Sequence, residues 1–126
     1  MAGSVDITYK DHGPVRWVRW SWTSDGSGDV SGTDTGDREG EILRWVTNPG
    51  ATAPSANYDI VVNDEDGVDV AVGVLGNRHT STSEQAVGLI GDGSTTDKAV
   101  FFVGKLSLVV SNAGSAKEGV LTMFYR

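Results

Sequence analysis

Residues 15–22 read Val15-Arg16-Trp17-Val18-Arg19-Trp20-Ser21-Trp22. In a β-strand successive side chains point to opposite faces. One face of this stretch then carries Arg16, Val18, Trp20 and Trp22, and the other carries Val15, Trp17, Arg19 and Ser21. Nowhere in the chain do apolar residues recur at i, i+3, i+4 and i+7 over three turns, the pattern a buried helix face needs. The chain is therefore expected to be all-β.

Strand signals extend in both directions from this segment. Upstream, Ser4 to Lys10 alternates, with Val5, Ile7 and Tyr9 on one side, and Asp11-His12-Gly13-Pro14 breaks it. Downstream, Ser24 to Asp37 is rich in Asp, Gly, Ser and Thr with Val30 its one apolar residue, so a surface loop is expected there. Further strands are expected over Glu39 to Thr47, Tyr58 to Asn63 and Val68 to Val74. The last two are joined by Asp64-Glu65-Asp66-Gly67, a sequence suited to a hairpin turn. Ser83 to Leu89 reads as a short helix or an edge strand. Gly91 to Ser94 reads as a loop. Ala99 to Val110 should form a strand kinked at Gly104, and Gly119 to Tyr125 a closing strand. About seven or eight antiparallel strands at this spacing imply a β-sandwich, a jelly-roll-like fold or a small barrel, with residues 1–126 as a single domain.

Composition narrows the partners. The chain has 126 residues, no cysteine and a formal net charge of −7. Disulfides and thiolate metal sites are excluded, which suits a reducing cytoplasm. The negative charge argues against nucleic acid, whose binders neutralise phosphates, and against an anionic membrane surface. The opening residues carry no basic stretch followed by an apolar run, so no secretory signal is expected. Patterned apolar residues, 38% of the total, argue against disorder.

Motifs for chemistry are sparse. His12 and His79 each lie in polar surroundings without a neighbouring nucleophile motif, and no G-x-S-x-G elbow occurs. No enzymatic activity and no cofactor are expected. Asp64, Asp66 and Asp69 cluster around a tight turn, as calcium ligands do. The order lacks the EF-hand pattern, so a solvated turn is the plainer reading. Asp25, Asp29, Asp34 and Asp37 form a second acidic stretch without the period of calcium-binding repeats. No metal site is assigned.

The tryptophans say more. The 15–22 stretch is apolar in both directions, and in the next strand Ile42 and Val46 would lie opposite Leu43 and Trp45. Two packed sheets bury one face each. Something must then cover the outer face: a loop, the amino-terminal strand, or a partner. Trp17, Arg19, Arg44 and Trp45 are the candidate interface residues, since Trp and Arg dominate interface energetics. Arginines adjacent to a Trp in sequence point away from it, so cation–π pairs are expected across strands.

Several segments carry a family resemblance. Tyr58 to Val70 resembles a segment of short structural proteins of tailed bacteriophages. Leu106 to Gly114, followed by Gly119 and the closing strand, does so too, as does the Trp22 to Gly28 junction. The resemblance implies a virion protein, most like a capsid decoration (cement) protein. It further implies the major capsid protein as partner, self-association as a dimer or trimer, and a place on the capsid surface after assembly in the host cytoplasm. A tail or receptor-binding component and a carbohydrate-binding β-module are the alternatives.

Overall fold

The computed structural model describes residues 3–91 and 97–126. Among them the chain is all-β, with no helix. The strands are β1 (Ser4–Lys10), β2 (Arg16–Thr23), β3 (Val30–Asp34), β4 (Arg38–Pro49), β5 (Asp59–Asn63) and β6 (Glu84–Ala86). They continue as β7 (Leu89–Gly91), β8 (Asp97–Ala99), β9 (Phe101–Gly104), β10 (Ser107–Ser111) and β11 (Glu118–Tyr125). The larger sheet runs β1-β2-β11-β4-β6, and β9 pairs with the first residues of β4. A second sheet runs β3-β10-β5, and β7 and β8 form a two-stranded ribbon. All pairings are antiparallel.

Alternation decides which side of each strand is buried. In β2, Val18, Trp20 and Trp22 face inward; in β11, Leu121, Met123 and Tyr125 do. The smaller sheet contributes Val30, Ile60, Val62, Leu108 and Val110, and all of these belong to one core cluster. Large rings fill the space between the sheets. Trp20 stacks on Trp45 with centroids 6.4 Å apart, Trp22 meets Tyr58 at 5.6 Å, and Phe102 meets Tyr125 edge-on at 5.3 Å. Gly119 makes room for one of them: a Cβ there would lie 2.4 Å from Cζ2 of Trp22.

Four expectations change. Eleven strands replace the expected seven or eight, partly because the 99–110 segment is cut. Its kink falls at Gly104, whose φ of +96° takes the chain from β9 toward β10 and the second sheet. The expected loop of residues 24–37 contains β3, because Val30 pairs with Val110 on the edge of β10 and is buried. Ser24 is buried too, giving its hydroxyl hydrogen to the Gly114 carbonyl (2.6 Å) while accepting from the Lys117 amide (2.8 Å). Of the expected Gly91–Ser94 loop, Gly91 ends β7 and the rest lies outside the described residues.

The expected strand over Val68 to Val74 is a run of turns. The Asp69 carboxylate accepts from the amides of Val62, Ala71 and Gly73 at 2.9–3.1 Å. Such local bonds compete with a sheet ladder and here prevail. Val72 takes a φ of 49°, a conformation costly for a β-branched residue. The result is a cap along the free edge of β5: Ile60 donates to the Leu75 carbonyl, and Val70 to the Val62 carbonyl. A strand edge is thereby closed to stray pairing. Over residues 83–89 the edge-strand reading holds, as β6 pairs with β4 through Val46↔Gln85.

Candidate functional site

The outward side of the larger sheet carries the residues of interest. Register places Lys10 beside Trp17, Trp17 beside Phe124, and Phe124 beside Arg44. The adjacent row is Thr8, Arg19, Thr122, Val46 and Gln85. Trp17, Phe124, Val46 and Val120 are half-buried, whereas Arg19 and Arg44 are exposed. Thr122 is buried and takes a hydrogen bond from Arg19, while Arg19 and Arg44 stand in solvent.

The arginines are held over the aromatic rings. The Arg19 guanidinium sits 4.4 Å from the Trp17 ring centre, and its Nε donates to Thr122 Oγ1 at 3.2 Å. Arg44 lies 5.0 Å from the Phe124 ring centre. A guanidinium over a ring is attracted by the electron-rich face, by about 0.5–1 kcal/mol at an exposed site. The charge is thus presented flat on an apolar floor. Arg44 and Arg16 reach rings across strands, as expected. Arg19 reaches Trp17 along its own strand, since residues two apart share a face.

Trp45 does not belong to this face. It is fully buried and stacked on Trp20. The cause is a β-bulge in β4. Phe124 pairs with Arg44, but Tyr125 pairs with Ile42, leaving Leu43 as an extra residue. An extra residue reverses the alternation beyond it. Ile42 and Trp45 therefore both point inward, while Arg44 and Val46 point outward. Three of the four indoles, those of Trp20, Trp22 and Trp45, are enclosed within one protomer. The apolar outer surface is smaller than the sequence implies, and its centre is the Trp17–Phe124 pair.

Sequence reading missed Phe124, although alternation in Gly119 to Tyr125 sets it opposite Leu121, Met123 and Tyr125. It also missed β9. Phe101 and Val103 are 72% and 74% exposed and stand directly opposite Glu41 and Glu39 of β4. Two depressions adjoin these rows. One of about 320 Å³ is lined by Arg44, Val46, Ser83, Glu84 and Gln85. The other, about 240 Å³, is lined by Asp37, Arg38, Glu39, Glu65, Val103 and Gly104.

The acidic turns are occupied with structural work. Asp64 accepts from the amides of Asp66 and Val68, and Asp25 from those of Ser27 and Asp29. The amides of Asp29 and Ser27 hold the Asp25 carboxyl below its usual range. No group of three potential metal ligands occurs among the described residues. His79 Nδ1 accepts from the amides of Ser81 and Thr82, each at 3.0 Å, and so organises a loop. Comparison with protein-family models, with curated proteins and with solved structures yields no match.

Proposed function

We propose that this chain is a structural protein of a tailed-bacteriophage virion, a decoration or cement protein that binds the outer surface of the assembled capsid. In this reading the two packed sheets are a β-sandwich related to the jelly roll, the major capsid protein is the partner, and the protein works as an oligomer. The observation that carries the reading is the outer side of the larger sheet, on which the half-buried Trp17 and Phe124 lie side by side with the exposed Arg19 and Arg44 over their rings. A flat aromatic and arginine-bearing surface suits contact with another protein. The net charge of −7 keeps free copies apart before assembly. Binding only to the assembled shell stabilises that shell by mass action, and many symmetric copies multiply a weak contact. The sequence resemblance adds its weight to the same conclusion.

The test is to add the purified chain to shells assembled without it, then to measure co-sedimentation and image the particles. Density on the shell exterior is expected. The double substitution Trp17→Ser with Phe124→Ser should weaken binding by at least about a hundredfold, two hot-spot losses of about 1.4 kcal/mol or more each, while the circular dichroism stays β-like. Density confined to the tail would replace this reading with that of a tail component. The carbohydrate-binding alternative has a physical obstacle, since the Arg19 guanidinium occupies the ring face of Trp17 that a sugar would need.

A further inference from the structure

A strand edge left open is a template for another chain, and folded proteins close most of theirs. The turns after β5 close its free edge, whereas β9 pairs with β4 alone among the described residues. Register tells which backbone groups of β9 are left over. The Ile42 amide donates to the Val100 carbonyl at 2.9 Å, so Val100, Phe102 and Gly104 bond toward β4. The residues between them turn their N–H and C=O groups the other way. Glu41, opposite Phe101, obeys the same rule, since it exchanges both backbone bonds with Arg126 on the far edge of β4. Phe101 and Val103 thus direct two N–H and two C=O groups along the outer edge, and no strand or turn of the described residues takes them up. Their side chains are also the two most exposed large apolar groups there. The end of this edge is acidic. Asp37, Glu39 and Glu65 line the depression beside Val103 and Gly104. Arg38 is held there by two bonds to the Asp11 carboxylate, which leaves Lys105 as the cation against three carboxylates.

We propose that the free edge of β9 takes up an extended segment of another protein as an added strand, with apolar side chains beside Phe101 and Val103 and a Lys or Arg at the Asp37–Glu39–Glu65 depression. In strand addition the main-chain bonds supply affinity and alternate side-chain positions supply selection. Residues directly opposite Phe101 and Val103 would project on the same side as these two and shield them from water. Charge complementarity chooses the occupant: a basic flank meets the excess of carboxylates, and an acidic one is repelled. The site is separate from the Trp17–Phe124 surface, because β9 and β11 flank β4 on opposite edges. It therefore stands whether or not that other surface meets a capsid.

The probe is a fluorescein-labelled peptide of about eight residues, alternating Val and Thr and flanked by lysines at both ends, titrated with the full chain up to about 1 mM. Saturable binding is expected. The same peptide flanked by glutamates should bind at least about tenfold more weakly at about 50 mM salt. Methylating the amide nitrogens of every second peptide residue blocks one edge of the peptide. One phase of methylation should abolish binding and the other should leave it, since a single edge meets β9. Val103→Pro removes an outward N–H and spares the ladder to β4, a position at which a strand tolerates Pro. It should abolish peptide binding with the thermal midpoint little changed. Glu39→Lys, at an exposed position, asks the same question through charge should the Pro variant not fold, and should weaken binding by at least about tenfold. Trp17→Ser with Phe124→Ser should leave peptide binding unchanged, which separates this edge from the surface assigned to the capsid. No saturation at the highest concentration, equal loss in both methylation phases, or indifference to both β9-edge variants would overturn the proposal. So would a peptide-free chain that dimerises and loses its dimer in Val103→Pro, because the occupant would then be a second copy.

Discussion

Trp17 and Trp45 show how burial separates residues of one type. Trp45 is enclosed between the sheets, so replacing it by Ala removes a ring and leaves a cavity. A loss of about 3–5 kcal/mol is expected in urea unfolding. Trp17 lies half-buried on the outer face, and the same replacement should cost about 1 kcal/mol. Equal losses at the two positions would contradict the assignment of inner and outer faces. Asp69 is a second decisive residue. Its carboxylate accepts from three amides, so Asp69→Ala strands donors that the turn cannot pair elsewhere. About 2 kcal/mol of destabilisation is expected, with hydrogen exchange fastest over residues 69–75.

At the scale of elements, legibility follows the strength of alternation. β1, β2, β5 and β11 are readable because each has an unbroken period of two with Val, Ile, Trp or Tyr on the inner side. β3 is not, because its single apolar anchor, Val30, gains its meaning from the edge of β10 some 80 residues later. Val68 to Val74 has a valine at every second position, yet three hydrogen bonds to one aspartate bend it into turns. The bulge at Leu43 leaves no mark in Glu41-Ile42-Leu43-Arg44-Trp45, since either phase of that stretch is apolar. Hence Trp17, Arg19 and Arg44 are visible as surface candidates, while pattern alone puts Trp45 on the wrong side and hides Phe101 within a longer strand. The bulge also makes a prediction. Deleting Leu43 should leave Ile42 opposite Tyr125 and Arg44 opposite Phe124 in plain alternation, with Trp45 still inward and Arg44 still outward. A cooperative unfolding transition is expected to persist in the deletion variant; its loss would show that the extra residue does not set the faces of Ile42 and Trp45.

For the molecule as a whole, pH acts from both directions. Burial pushes the hydroxyls of Tyr58 and Tyr125 above the ordinary tyrosine range. A group kept protonated by folding contributes fully below its unfolded value, about 10, and that contribution fades as pH rises beyond it. Tyrosinate absorbance from these two rings should therefore appear together with loss of the fold. Ionisation of both in a protein that keeps its near-ultraviolet signal would contradict their burial. At the other end, hydrogen bonds from Arg38 hold the Asp11 carboxyl low, as backbone amides hold that of Asp25. Those contributions are present above about pH 4 and fade as pH falls through the lowered values.

The order of the larger sheet has a consequence for biosynthesis. β11 lies between β2 and β4, so a strand made late unites two halves made early. At about 5–20 residues per second, a ribosome needs on the order of ten seconds to reach it, and until then the sheet has a gap at its middle. Leu121, Met123 and Tyr125 complete the interior at the same moment that Thr122 and Phe124 complete the exterior. A translation product that stops short of β11 has neither.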